Sequence, residues 1–329
     1  MRVFHSVYGL RLSSNVALPG LPLLTDITPR ADIQIRVKEK SSPISAAISP
    51  SDIFYVSQAK DTNGEPVLQA AAVAGGSYVA MLYSDGSRFA LERNGREVFA
   101  DWPDPLTLEE NSLCLIGPVF GVVLRLRGIT PLHASAVAID DHAFALMGPA
   151  GAGKSTTAGA FARCGYRVIS DDVVALNQDG SRFIIPPGYP RVNLWAESVQ
   201  ALFGADADLP LISQSWDKHF MPLDQETQFE TRPLPLGAIY FLQERKAELA
   251  APVVESMTGA EAFLAVLGNT YMNHLPDPKL RCREFEVLGR VLAQVPVRRV
   301  RTPADSSMLF DLCETIASDA RALLPSPAV

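Results

Sequence analysis

Gly148-Pro-Ala-Gly-Ala-Gly-Lys-Ser-Thr156 is the stretch that decides the fold, because Gly148-x-x-x-x-Gly153-Lys154-Ser155 is a complete phosphate-binding P-loop pattern. Glycines in such a loop let backbone N–H groups turn inward onto phosphate oxygens. The lysine carries a point charge to the β and γ phosphates, and the serine hydroxyl ligates Mg²⁺. The expected nucleotide-binding residues are Gly148, Gly151, Gly153, Lys154, Ser155 and Thr156, with ATP and Mg²⁺ as cofactors. With glycine at about 7% of residues, a chance match in a chain this long is roughly a one-in-a-hundred event. The flanks lower that further: Ala143-Phe-Ala-Leu-Met147 is an apolar run of strand length, and residues 154–162 are helix-compatible up to Gly165, a good residue just past a helix end. Strand, glycine loop and helix is the setting the motif requires, and the helix adds its positive N-terminal end.

The chain has 329 residues, room for two domains, and 47% hydrophobic with 20% charged residues is ordinary globular composition. A net charge of −7, with no basic run longer than Arg298-Arg299, excludes a nucleic-acid footprint and favours a small-molecule or peptide partner. Cys114, Cys164, Cys282 and Cys313 have no metal-binding or scaffold spacing and are expected to be reduced thiols. The first residues lack a signal-peptide pattern. The most apolar stretch, 114–124, is broken by Gly117-Pro118 and too short to span a bilayer, so a cytoplasmic protein without membrane contact is expected.

Residues 1–127 carry strand signals. Ala31-Asp-Ile-Gln-Ile-Arg-Val37, Tyr78-Val-Ala-Met-Leu-Tyr83 and Arg88-Phe-Ala-Leu-Glu92 alternate, with turns at 61–64 and Asn94-Gly95. They predict a small, mostly antiparallel β-rich N-terminal domain. A capping box at Thr107-x-x-Glu110 starts a linking helix that runs to about Arg127, with Gly117-Pro118 in its middle. Residues 128–329 form the second domain, of α/β class. It opens with a hairpin, Ser135-Ala-Val-Ala-Ile139 and the strand feeding the loop, joined at Asp140-Asp141. Tyr166-Arg-Val-Ile-Ser170 and Val173-Val-Ala-Leu176 read as one strand interrupted by Asp171-Asp172. Gly237-Ala-Ile-Tyr-Phe-Leu242 is a further strand, and Pro296-Val-Arg-Arg-Val-Arg301 an edge strand. Two later helices are expected from a capping box at Thr258-x-x-Glu261 and from Thr302-Pro303, with proline at the first helical position. Residues 177–235, rich in Pro, Gly and Asp, read as loops around the site.

A nucleotide site becomes an enzyme when something positions an attacking group and completes the metal shell, and Asp171-Asp172 follows the loop helix closely enough to do both. One carboxylate can hold Mg²⁺ while the other accepts the proton of a substrate hydroxyl. His133 alone reads as a structural histidine.

The arrangement changes that reading. Leu132-His133-Ala-Ser-Ala-Val-Ala138, the loop at 148–155 and Gly165-Tyr-Arg-Val-Ile-Ser-Asp-Asp172 together resemble, in order and spacing, the catalytic domain of HPr kinase/phosphorylase. Over the whole chain the resemblance is closer to the HPr-kinase-related proteins encoded with peptide natural products such as lasso peptides, on Tyr8-Gly-Leu-Arg-Leu12, Leu18-Pro-Gly-Leu21 and Arg232-Pro-Leu-Pro-Leu-Gly-Ala-Ile-Tyr240. The resemblance implies a P-loop kinase domain of the PEP-carboxykinase-like type. It implies that Lys154 and Ser155 bind phosphate and Mg²⁺, that one of Asp171 and Asp172 is the base, and that His133 supports that carboxylate. The division of base and metal roles between the two aspartates stays open, with Ser155 and Asp172 as the expected metal ligands. The acceptor it implies is serine on a peptide or protein. Ala134, Ala150 and Ser170 stand where that family has Gly, Ser and Ala, and the segment tied to the reverse reaction has no counterpart.

Phosphoryl transfer also needs positive charge beside the transferring group, and Arg191, Lys218 and Arg232 are the candidate cations. His5, His142, His219 and His274 show no ligand spacing. Three functions stay open on sequence: a peptide or protein serine kinase, a small-molecule hydroxyl kinase, and a nucleotide-binding regulator without transfer activity. The sequence does not fix the oligomeric state.

Overall fold

The computed structural model describes residues 2–25, 30–45, 48–213, 216–275 and 277–324. The chain divides into two compact units, Met1–Gly128 with His274–Leu280, and Ile129–Asn273 with Arg281–Val329. Sequence alone assigned 274–280 to the second part. It is counted with the first unit, where the His274 ring stacks on Tyr55 at 4.6 Å between centroids.

The first unit is built on eight strands: β1 Val3–Val7, β2 Leu10–Ser14, β3 Ile33–Val37, β4 Ile53–Val56, β5 Leu68–Val73, β6 Tyr78–Tyr83, β7 Arg88–Glu92 and β8 Glu97–Asp101. They form one sheet in the order β1-β2-β3-β8-β7-β6-β5-β4. Pairing is antiparallel except at β2–β3 and β3–β8. Period-two alternation shows in β3, where Ile33, Ile35 and Val37 are buried and Gln34 and Arg36 are not. His5 is a structural residue in this sheet: fully buried, its Nδ1 faces the Pro22 carbonyl at 3.0 Å and its Nε2 accepts from the Leu18 N–H at 3.2 Å. That pairing fixes a neutral ring, and burial lowers its pKa.

Helix α1, Leu108–Cys114, starts at the Thr107–Glu110 capping box, with both reciprocal hydrogen bonds formed. It continues through a π turn, 115–119, into α2, Phe120–Leu126. The wider turn accommodates Pro118, whose missing N–H and bulky ring a regular helix would not tolerate.

The second unit contains β9 Thr130–Ile139, β10 His142–Met147, α3 Lys154–Arg163, β11 Arg167–Ser170, β12 Val173–Asp179, β13 Arg182–Ile185, β14 Arg191–Trp195, α4 Ala196–Phe203, β15 Leu211–Ser213, β16 Trp216–Pro222, β17 Leu234–Leu242, β18 Val253–Met257, α5 Gly259–Gly268, α6 Pro278–Leu292 from Arg281 on, β19 Val297–Arg301 and α7 Leu309–Leu323. The main sheet runs β10-β9-β12-β13-β17-β19-β18, with β11 also on β9. β10 pairs parallel with β17, and β17 parallel with β19. The β9–β10 hairpin turns at Asp140 and Asp141, both at positive φ (45° and 59°), as a two-residue hairpin turn matched to strand twist requires. Alternation along β9 and β10 sends Val137, Ile139, Phe144 and Leu146 into one core with α3 and α7, and Ala136, Ala143, Ala145 and Met147 into another with α5 and α6.

Several expectations need correction. Residues 177–235 are not mainly loop: β13, β14, α4, β15 and β16 lie there, and β14-β16-β15 make a separate antiparallel sheet. Their elements are three to eight residues long between Pro and Gly turns, too short to show a period. Thr258 precedes α5 but makes no side-chain cap, and Glu261 instead meets Arg299. Pro303 is not the first residue of a helix. It lies in a bridge with Lys246, and α7 starts after a short 3₁₀ turn capped by Asp305. β19 is an interior strand, between β17 and β18, because Pro296 precedes it and leaves its own donors free for the ladder.

Candidate functional site

β9 is ten residues long, and two strands share one side of it. β11 pairs with 136–138 and β12 with 130–133, so the pairing breaks where Asp171 and Asp172 stand, opposite Ala134 and Ser135. His133 and Ser135 are two residues apart on a strand and share a face, the one that carries Val137 toward α3. The break in pairing therefore delivers two carboxylates to two polar side chains on the loop side of the sheet.

Asp171 is fully buried and its oxygens are occupied from behind. Ser135 Oγ donates to Oδ1 at 2.7 Å and the Asn193 N–H to Oδ2 at 2.9 Å. Burial pushes its pKa up, opposed by those donors and by the Ser155 hydroxyl. Asp172 is half-buried at a left-handed φ of 69°, an uncommon conformation for a non-glycine residue and one that clusters at functional sites. Tyr271 Oη donates to its Oδ2 at 2.8 Å, and His133 Nδ1 lies 3.3 Å from Oδ1. Burial alone would raise the Asp172 pKa, but His133, the Lys218 charge and the Tyr271 hydroxyl together hold it below the usual carboxylate range. Tyr271 also meets the His133 ring edge-on at 5.2 Å, and its backbone is tied to Pro131.

The glycine loop leaves β10 and turns into α3. Gly148, at φ 150°, passes so close to β17 that a Cβ there would lie 2.3 Å from the Leu242 carbonyl oxygen. Gly153 caps α3 in a left-handed conformation, φ 91°, without any side-chain cap, so the first N–H groups of the helix stay unclaimed by side chains. Lys154 is buried and donates to the Gly148 and Pro149 carbonyls at 2.9 and 3.1 Å. Burial lowers its pKa, and the charges of Asp172 and Asp171 oppose that shift.

Two clefts flank the loop. One, of about 500 Å³, is lined by Lys154, Ser155, Thr156, Asp172, Trp195 and Lys218 among others. The second, of about 730 Å³, has Phe241, Gln243, Lys246, Tyr271 and Asn273 in its walls. His133 and Ala150 border both. The loop residues Gly151, Gly153, Lys154, Ser155 and Thr156 thus lie with Asp172 and His133 in one cleft, while Asp171 sits behind it and Gly148 anchors the loop to β17.

Of the candidate cations only Lys218 lines that cleft. Arg232 is corrected: Glu230 and Asp141 hold its guanidinium at 2.8–3.0 Å, at the far end of β10 from the loop. Arg191 is buried, with Tyr189 and Phe220 rings 5.5 and 5.1 Å from its guanidinium carbon. Ser135, Asn193, Trp195 and Tyr271 were not singled out from sequence. Ser135 was findable in principle, since it lies two residues from His133 on a legible strand; Asn193 lies on β14, within the stretch that reads as loop, and Tyr271 arrives from a turn nearly 100 residues away, so neither has a local signal.

Among the described residues no group of three or more His, Cys, Asp or Glu side chains is disposed to hold a metal ion, and no helix is long and apolar enough to cross a membrane. The fold is mixed α/β, with a glycine loop between a parallel-paired strand and a helix N-terminus and an acidic pair beside it. No protein-family model matches the chain, and no curated protein matches it. Among solved structures it is similar to the HPr(Ser) kinase/phosphatase from Coxiella burnetii, at 15% identity and TM-score 0.31, with 58% of this chain and 96% of that chain covered.

Proposed function

We propose that this protein is an ATP-dependent kinase that transfers the γ-phosphoryl group to the hydroxyl of a serine on a peptide or protein. The observation that carries the reading is Asp172, which lines the loop cleft and is held below the usual carboxylate range by His133, which borders both clefts, and by Tyr271, which lines the larger one. A phosphoryl donor on the loop and an acceptor in the larger cleft would meet at that carboxylate. The acceptor oxygen forms a bond to the γ phosphorus as the bond to the β–γ bridging oxygen breaks. The hydroxyl proton passes to Asp172, and ADP is the leaving group. Lys154 and the N–H groups of the loop neutralise charge on the phosphates, and Lys218 adds a cation in the same cleft.

The residues fit Mg²⁺. Ser155 and Asp171 are hard oxygen donors in mutual contact at the start of α3, and a magnesium ion bound beside phosphates needs only one or two protein oxygens, the rest being water and phosphate. When bound, the ion would offset the negative charge of the phosphates.

The acceptor class that the sequence resemblance brings is a precursor peptide of the kind made into lasso peptides. The test is mass spectrometry of serine-containing peptides after incubation with protein, ATP and Mg²⁺. We expect an added phosphate that disappears with Lys154→Ala. ATP binding with no peptide, protein or small hydroxyl compound modified would overturn the kinase reading and leave a nucleotide-binding regulator.

The pH dependence has a defined sign. A base must be ionised to act, and Tyr271 and His133 depress the Asp172 pKa. Tyr271→Phe removes one hydrogen bond to the carboxylate, so its pKa rises and the acid limb of the transfer rate moves to higher pH. The basal rate at high pH, where Asp172 is ionised in both proteins, changes much less. An acid limb unmoved in Tyr271→Phe would show that Asp172 is not the titrating base.

A further inference from the structure

We infer that Trp195 is the stacking platform for the nucleobase; the inference rests on the nucleotide reading above and adds where the nucleoside lies. Trp195 is a large apolar side chain at 58% exposure, in a cleft whose other walls are charged and polar groups with small residues, Ala150 and Ala196 among them. It ends β14 and precedes α4, and its backbone pairs with Lys218 of β16, whose ammonium lies 5.4 Å from the indole centroid. The ring is thus held open to solvent by a strand register and one cation, with no apolar partner across its outer face among the described contacts.

The position along the cleft gives the ring its role. β14 carries Asn193, whose N–H binds Asp171, and Trp195 stands two residues further on the same face of the strand, roughly 7 Å away. A triphosphate with its γ end at Asp172 and Lys154 runs over the loop past Ser155 and Thr156. Thr156 Oγ1 is 2.8 Å from Ser198 Oγ in the first turn of α4. The chain of phosphates is therefore led toward the start of α4, where Trp195, Glu197 and Ser198 line the cleft. A nucleobase there meets the indole face, and the ribose hydroxyls meet Glu197 and Ser198. The larger cleft, on the Tyr271 side, stays open for the acceptor.

Calorimetric titration of the full chain with ATP and, separately, with inorganic triphosphate tests this, on the wild type, Trp195→Ala and Trp195→Phe. Stacking predicts that Trp195→Ala raises the Kd for ATP about tenfold, that Trp195→Phe keeps most of the affinity, and that triphosphate binds all three proteins within about twofold. Equal ATP affinity in Trp195→Ala, or equal loss of ATP and triphosphate affinity, overturns the inference while leaving the kinase reading standing. A wild type that binds neither ligand overturns both.

Discussion

Asp172→Asn is expected to lower the proposed phosphoryl transfer by about a thousandfold while ATP affinity stays within about threefold of wild type. The size follows from the role proposed for the side chain: a positioned general base contributes roughly 10²–10⁴ in rate, and an amide keeps the shape while it cannot take a proton. Binding is spared because Asp172 is held by Tyr271 and His133 rather than by the loop. Asp171→Asn has a different signature. Asp171 is fully buried and accepts from Ser135 Oγ and the Asn193 N–H, so an amide replaces a charged acceptor by a neutral one and obliges the Ser135 hydroxyl to turn from donor to acceptor. That change costs about 1–3 kcal/mol of stability. Initial rates of phosphate incorporation, ATP titration and thermal unfolding on both variants separate the roles. Full transfer in Asp172→Asn would remove it as the base.

The loop was legible because its chemistry is local. Gly148, Gly153, Lys154 and Ser155 sit at fixed offsets, and the apolar run before them and the helix after them carry their own patterns. The hairpin at Asp140-Asp141 was legible for the same reason, since two strands of opposite direction flank a two-residue turn. Residues 177–235 were not, because strands of three to seven residues with Pro190, Pro210 and Pro222 at or near their ends offer too few positions for a period to emerge. The candidate site divides along the same line. His133 on β9 and Asp171-Asp172 at the break between β11 and β12 are visible as a series. Tyr271 reaches Asp172 from 99 residues away, and Trp195 ends a strand that the Pro- and Gly-rich composition concealed. A helix start at Thr302-Pro303 failed for a tertiary reason, because Pro303 is held extended in an isolated bridge with Lys246.

Gly148→Ala is expected to destabilise the second unit by about 3 kcal/mol and to abolish ATP binding, a larger stability effect than any other single change in the loop. Two costs add. The residue sits at φ 150°, outside the conformations L side chains adopt readily, and a Cβ there would lie 2.3 Å from the Leu242 carbonyl oxygen, well inside contact distance. Neither wall yields easily: Leu242 closes β17, which is locked in parallel register with β10 through Met147 and Phe241, and Gly148 follows Met147 directly. Relief requires the loop to move off the sheet, and the cradle of N–H groups moves with it. Gly151→Ala is the control. Its φ is 81°, but nothing lies within 4 Å of the added Cβ, so only the backbone cost of about 1–2 kcal/mol applies. Thermal unfolding should place Gly148→Ala below Gly151→Ala by several degrees. Equal midpoints would mean that the approach to Leu242 is not what requires glycine at the first position of the loop.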